Sequence, residues 1–89
     1  PGPGVVSDEE LLEDFRQRAD TVYHPTCTCR MGPDSRGAVV DARLRAYGLD
    51  NLRIIDASVF PTVTSGNTNA PTVMVAEKGV AMMLEDLGA

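Results

Sequence analysis

The chain has 89 residues, 13 acidic against 8 basic, for a formal charge of −5, and only two cysteines, two phenylalanines and no tryptophan to staple or fill a core. Its basic residues are scattered apart from Arg43 and Arg45, so no cationic stripe is available to neutralise phosphates, and nucleic acid is excluded as a partner. Apolar runs fall far short of the ~20 residues of a membrane span and no signal-peptide pattern is present, so the expectation is no membrane span and a cytoplasmic setting.

Residues 1–6, Pro-Gly-Pro-Gly-Val-Val, cannot start a helix and read as an extended lead-in. Ser7 followed by Glu10 is a capping box, with Asp8 and Glu9 in the first turn where the helix dipole favours acids. Leu11, Leu12, Phe15 and Ala19 then share one face, and Glu13, Asp14, Arg16 and Gln17 the other. This predicts an amphipathic surface helix running to about Asp20.

His24-Pro25 stops it, because a residue before proline is pushed toward extended geometry. Residues 23–32 read as an extended segment entering a turn over Gly32–Gly37. Cys27 and Cys29 stand too close for an easy disulfide, and with His24 they supply three metal ligands where structural zinc wants four. Reduced, packed thiols and no metal are therefore expected.

Val39 and Val40 predict a short strand, and Leu52-Arg53-Ile54-Ile55 a second that ends at Asp56. From Pro61 to Ala70 the chain is almost devoid of apolar side chains, which marks a loop rich in hydrogen-bonding groups. Pro71 suits a first helical position. The helix from Thr72 to about Glu85 is apolar nearly all round in its first turns, as a helix buried on several sides reads. Residues 1–70 offer little to surround it. The expectation is a chain lacking its other half, and the opening at Pro1 without an initiator methionine suits a piece of a longer protein.

Three stretches now stand in order: Tyr23-His24-Pro25-Thr26-Cys27-Thr28-Cys29-Arg30-Met31-Gly32; Val40-Asp41 with Leu52 through Pro61; and Ser65-Gly66-Asn67-Thr68-Asn69-Ala70-Pro71-Thr72. Over residues 22–87 they resemble the closing segment of the glucose–methanol–choline (GMC) oxidoreductases, flavoproteins that act on alcohols. The resemblance implies an α+β fragment (helix, short strands, polar loop, long helix) of an architecture that joins an FAD-binding Rossmann-like domain to a substrate domain. Residues 1–22 would border the substrate domain, and residues 23–89 would form the C-terminal part of the catalytic and FAD-binding region.

Roles follow by position. His24 matches the family's active-site histidine and Asn67 its second active-site group. Asp56 and Ala57 match positions where the chain passes the flavin, and Asn67 and Thr68 those where backbone meets the isoalloxazine ring. Cys27 stands where many relatives have glycine, and the family's N-terminal G-x-G-x-x-G fingerprint has no counterpart here. The implied cofactor is FAD. The implied partners are a small alcohol, an electron acceptor such as oxygen or a quinone-like molecule, and a preceding part of the same protein.

Oxidising an alcohol removes a hydroxyl proton and a hydride from one carbon. An imidazole, which ordinarily titrates near ~6.5, is suited to take the proton at neutral pH, and His24 is the sole histidine. Asn67 would hydrogen-bond the oxygen as charge develops. From the residues alone other readings stand beside these. His24 is equally a loop residue bonded to backbone, Asn67 and Asn69 are turn or cap residues, and Asp56 is a strand-end cap. A hydroxynitrile lyase of the same family, or a stand-alone non-catalytic module, remains the alternative function.

Overall fold

The N-terminal helix owes its start to local hydrogen bonding. In the computed structural model, which describes residues 2–88 and so leaves the outermost residues Pro1 and Ala89 of the expected domain ranges outside the described residues, α1 spans Asp8–Arg18. The Glu10 amide donates to Ser7 Oγ at 3.2 Å, and the Glu10 carboxylate accepts from the Ser7 amide at 3.1 Å, closing the capping box. A further bond from the Val6 amide joins that of Ser7 in holding the Glu10 carboxyl below its ordinary range. Acids fill the first turn and Arg16 and Arg18 the last, matching the helix dipole at both ends.

No residue of α1 is buried, and Phe15 remains 66% exposed. The helix makes no packing contact with the other helical elements among the described residues. The radius of gyration, 19.0 Å, exceeds the about 12 Å of a compact chain of this length. The amphipathic face expected from the sequence is therefore present but uncovered.

The core lies in the C-terminal two thirds. Val40, Leu44, Val59, Phe60 and Val75 form it, with Cys27, Met31, Ile54, Ile55 and Ala57 packed against it. The predicted strands at residues 39–40 and 52–55 do not form: among the described residues the only β pairing is three isolated bridges, Met31 with Val40, Val40 with Ala46, and Arg45 with Arg53. The physical reason is turn chemistry. Asp41 Oδ1 accepts from the amides of Arg43 and Arg45 at 2.8 and 2.9 Å, which curls the chain immediately after Val40. Leu44, buried at 2% exposure, sits there with φ 65°, in the left-handed region. The run at Val39–Val40 ends there because Asp41 opens this turn, and around Arg53 the pairing stays at one bridge.

A 3-10 turn, Ala57–Val59, follows, and the polar loop leads into α2, Asn69–Leu87. The helix starts two residues before the expected Pro71. Proline is tolerated there because first-turn N–H groups have no intrahelical acceptor. Gly88, at φ 72°, closes α2 with bonds to the carbonyls of Glu85 and Leu84, a left-handed cap. Within these residues α2 is covered on one side only: Val75 and Gly79 are buried, whereas Val73, Met74, Val80 and Leu84 are exposed. Among the described residues no helix is long and apolar enough to cross a membrane.

Charged side chains pin the far end of α2 to the core loops. Arg43 reaches the Met82 carbonyl at 3.0 Å, Glu85 at 3.1 Å and Asp86 at 2.7 Å, while Arg53 pairs with Asp86 and donates to the Arg43 carbonyl at 2.6 Å. Desolvation alone would raise the Asp86 carboxyl, but the hydrogen bonds from Arg43 and Arg53 outweigh it and hold it below its ordinary 3.8. Because the folded value is the lower one, stability from this carboxylate is complete above 3.8 and disappears as pH falls through the folded value. Asp86→Asn is accordingly expected to flatten the acid side of a plot of unfolding midpoint against pH; an unchanged slope there would show that the clamp carries no stability.

Candidate active site

Backbone hydrogen bonds hold the His24 segment beside the 3-10 turn. The amides of Cys27, Cys29 and Met31 donate to the carbonyls of Ala57, Ser58 and Val59 at 3.3, 2.9 and 2.9 Å. Val59 is fully buried, so this strap rests on the core. Cys27 adopts φ 67°, a conformation glycine enters without steric penalty and L side chains rarely adopt. This is the place where the family resemblance leads one to expect glycine, which that conformation suits. The Cys27 side chain packs against the core, and both thiols are free.

Asp56, expected to end a strand, instead caps the 3-10 turn: its carboxylate accepts from the Ser58 amide at 2.7 Å. Ala57 is half-buried and its carbonyl belongs to the strap. Beyond Phe60 the chain runs through the polar loop, where the Thr64 hydroxyl donates to the Gly66 carbonyl at 2.9 Å. Asn67 Oδ1 accepts from the Asn69 amide at 3.0 Å, the helix-entry role that asparagine commonly fills. This occupies the carboxamide oxygen and leaves Nδ2, which can only donate, for an oxygen of a bound molecule.

The His24 segment meets the polar loop at Thr68. Thr68 Oγ1 lies 3.1 Å from His24 Nδ1. Asn67, the neighbour of Thr68, is exposed, as is His24, and among the described residues no hydrogen bond joins the two directly. Sequence reasoning assigned Thr68 only a backbone role. Thr68 stands one residue before the helix, where a hydroxyl normally turns inward to cap; here it makes no cap bond and faces the imidazole instead.

The N-terminus of α2 is electrostatically positive and sparsely satisfied. Its first turn holds no acid. The Asn69 amide is taken by Asn67, Pro71 has none, and the Thr72 amide and hydroxyl both bond the Thr68 carbonyl, at 3.1 and 2.6 Å. The Ala70 N–H remains as a donor of this turn. An anionic, planar edge with carbonyl acceptors, such as the pyrimidine side of a reduced flavin, fits this end of the helix.

Two grooves lie elsewhere on the described residues. A shallow, open groove of about 800 Å³ lies at the opposite end of α2, between Tyr47–Arg53 and the side chains of Met83, Asp86 and Leu87. Neither of these grooves is lined by His24 or Asn67, both of which are exposed. Among the described residues no three His, Cys, Asp or Glu side chains gather as metal ligands.

A family profile described as GMC oxidoreductase matches residues 1–76. An alcohol dehydrogenase [acceptor] of Pseudomonas putida is 51% identical over 84 residues, 94% of this chain and 15% of that protein. An oxygen-dependent choline dehydrogenase of Pseudomonas syringae is 54% identical over 78 residues, 88% of this chain and 14% of that protein. The mitochondrial choline dehydrogenase of Mus musculus is 56% identical over 79 residues, 88% of this chain and 13% of that protein. The chain thus spans about one seventh of the length of these relatives. Its residues belong to the GMC oxidoreductase family, in the segment named for the C-terminal end of that fold.

Proposed function

We propose that the chain is the C-terminal part of an FAD-dependent oxidoreductase that converts the CH–OH group of an alcohol to a carbonyl. The observation that carries this reading is the Thr68–His24 contact, which joins the histidine segment to the loop holding Asn67 at the positive end of α2. The named activities of the relatives, alcohol and choline dehydrogenation, support an alcohol as substrate. Oxygen or a quinone-like molecule serves as electron acceptor.

His24 takes the hydroxyl proton as the O–H bond breaks, and Asn67 Nδ2 donates to the oxygen as negative charge develops on it. FAD, when bound, supplies the hydride acceptor at N5, so the alcohol carbon gives up a hydride and becomes a carbonyl. Asn67, Thr68 and the Ala70 amide would hold the ring edge at the start of α2, and Asp56 and Ala57 would border the flavin. Residues 52–55 and α2 belong to the Rossmann-like FAD domain in this reading. Residues 1–22 border the substrate domain, whose side chains cover Leu11, Leu12 and Phe15, and residues 23–89 complete the catalytic and FAD-binding region.

Anaerobic mixing of the full-length protein with primary alcohols, choline among them, is expected to bleach the oxidised flavin absorbance. A flavin that stays oxidised with every alcohol tried, while cleaving a hydroxynitrile, would replace this reading with the lyase.

A further inference from the structure

A neutral imidazole carries one N–H and one bare nitrogen, so whatever faces one nitrogen decides what the other can do. Thr68 Oγ1 faces Nδ1 of His24 at 3.1 Å. That hydroxyl is not engaged with the amides of α2, and the Thr68 carbonyl is already taken by Thr72, so the side chain's polar contact is with the ring. We propose that Thr68 is a positioning residue that sets the tautomer of His24: its oxygen accepts from Nδ1–H and leaves the Nε2 lone pair bare. This rests on the base reading of His24 given above.

A base must present a bare nitrogen. If Thr68 donated to Nδ1, the ring proton would sit on Nε2 and block the nitrogen that points away from the helix. With Thr68 accepting, Nε2 receives the alcohol proton, and the Nδ1–H···O bond persists and strengthens once the ring is charged. No hydroxyl rotation is then needed during the step.

The test is made on the full-length flavoprotein with only residues 1–89 labelled in ¹⁵N, so that His24 is the sole labelled imidazole. The expected neutral form carries its proton on Nδ1. Thr68→Val, nearly isosteric but without the hydroxyl, is expected to shift the population toward the Nε2–H form. It should also slow flavin reduction on the order of tenfold or more with little change in alcohol affinity. Thr68→Ser restores both. A wild-type His24 protonated on Nε2, or a tautomer that ignores Thr68→Val, overturns the assignment. His24→Asn separates the two ideas: a tautomer that responds as stated, beside a histidine whose loss hardly slows reduction, upholds the positioning role and removes the base.

Discussion

Replacing His24 by asparagine is expected to slow flavin reduction by an alcohol about 10²–10⁴-fold, the usual worth of a positioned general base. Asparagine is polar and similar in reach to Nδ1, so it can still meet the Thr68 hydroxyl and keep the loop in register. What it cannot do is hold a proton at neutral pH. The loss should therefore fall on the limiting rate of reduction at saturating alcohol, with the flavin spectrum and its binding unchanged. Anaerobic stopped-flow measurement on the full-length protein reads both. A decrease smaller than about tenfold would mean that another group removes the proton, and His24 would revert to a loop residue bonded to Thr68.

The elements that rest on near neighbours were legible in the sequence. Ser7 and Glu10 are three residues apart and form the box their identities imply, so α1 stands where it was expected. The polar run after Pro61 is a loop and the apolar run after it is a helix, for the same reason. What depends on distant partners was not legible. Leu52–Ile55 has the composition of a strand, yet its hydrogen bonds to Leu44 and Ala46 close across the turn at residues 47–51, and only Arg53 enters a bridge. Arg43, Arg53 and Asp86 look like ordinary surface charges until the chain brings them together across 33 and 43 residues. The Thr68–His24 contact spans 44 residues and was equally hidden. Nothing local to a threonine at a helix entrance distinguishes a cap from a support for an imidazole.

One glycine decides how closely α2 lies on the core, and substituting it should have the largest effect on stability. Glycine inside a helix costs about 1 kcal/mol relative to alanine, so Gly79 needs a packing reason to stand in the middle of α2. A Cβ there would lie 2.9 Å from Ile55 Cγ2, 3.0 Å from Ile55 Cδ1 and 3.2 Å from Leu44 Cδ1. These atoms have little room to yield. Leu44 is buried and held in a left-handed turn, and Ile55 packs against the same core. Gly79→Val adds three carbons at this contact, and overpacking of that kind costs typically about 1–3 kcal/mol, more than the helix gains by losing a glycine. The expected result is a clearly lower unfolding midpoint, with Gly79→Ala lying between Val and the parent. Relief of the clash requires α2 to lift from residues 44 and 55, and its entrance carries Thr68. The same substitution should therefore loosen the His24 contact, seen as slower flavin reduction in protein that is still folded. A Gly79→Val protein with the parent's midpoint and reduction rate would show that α2 does not lean on Ile55, and that the geometry of the His24 edge is set elsewhere.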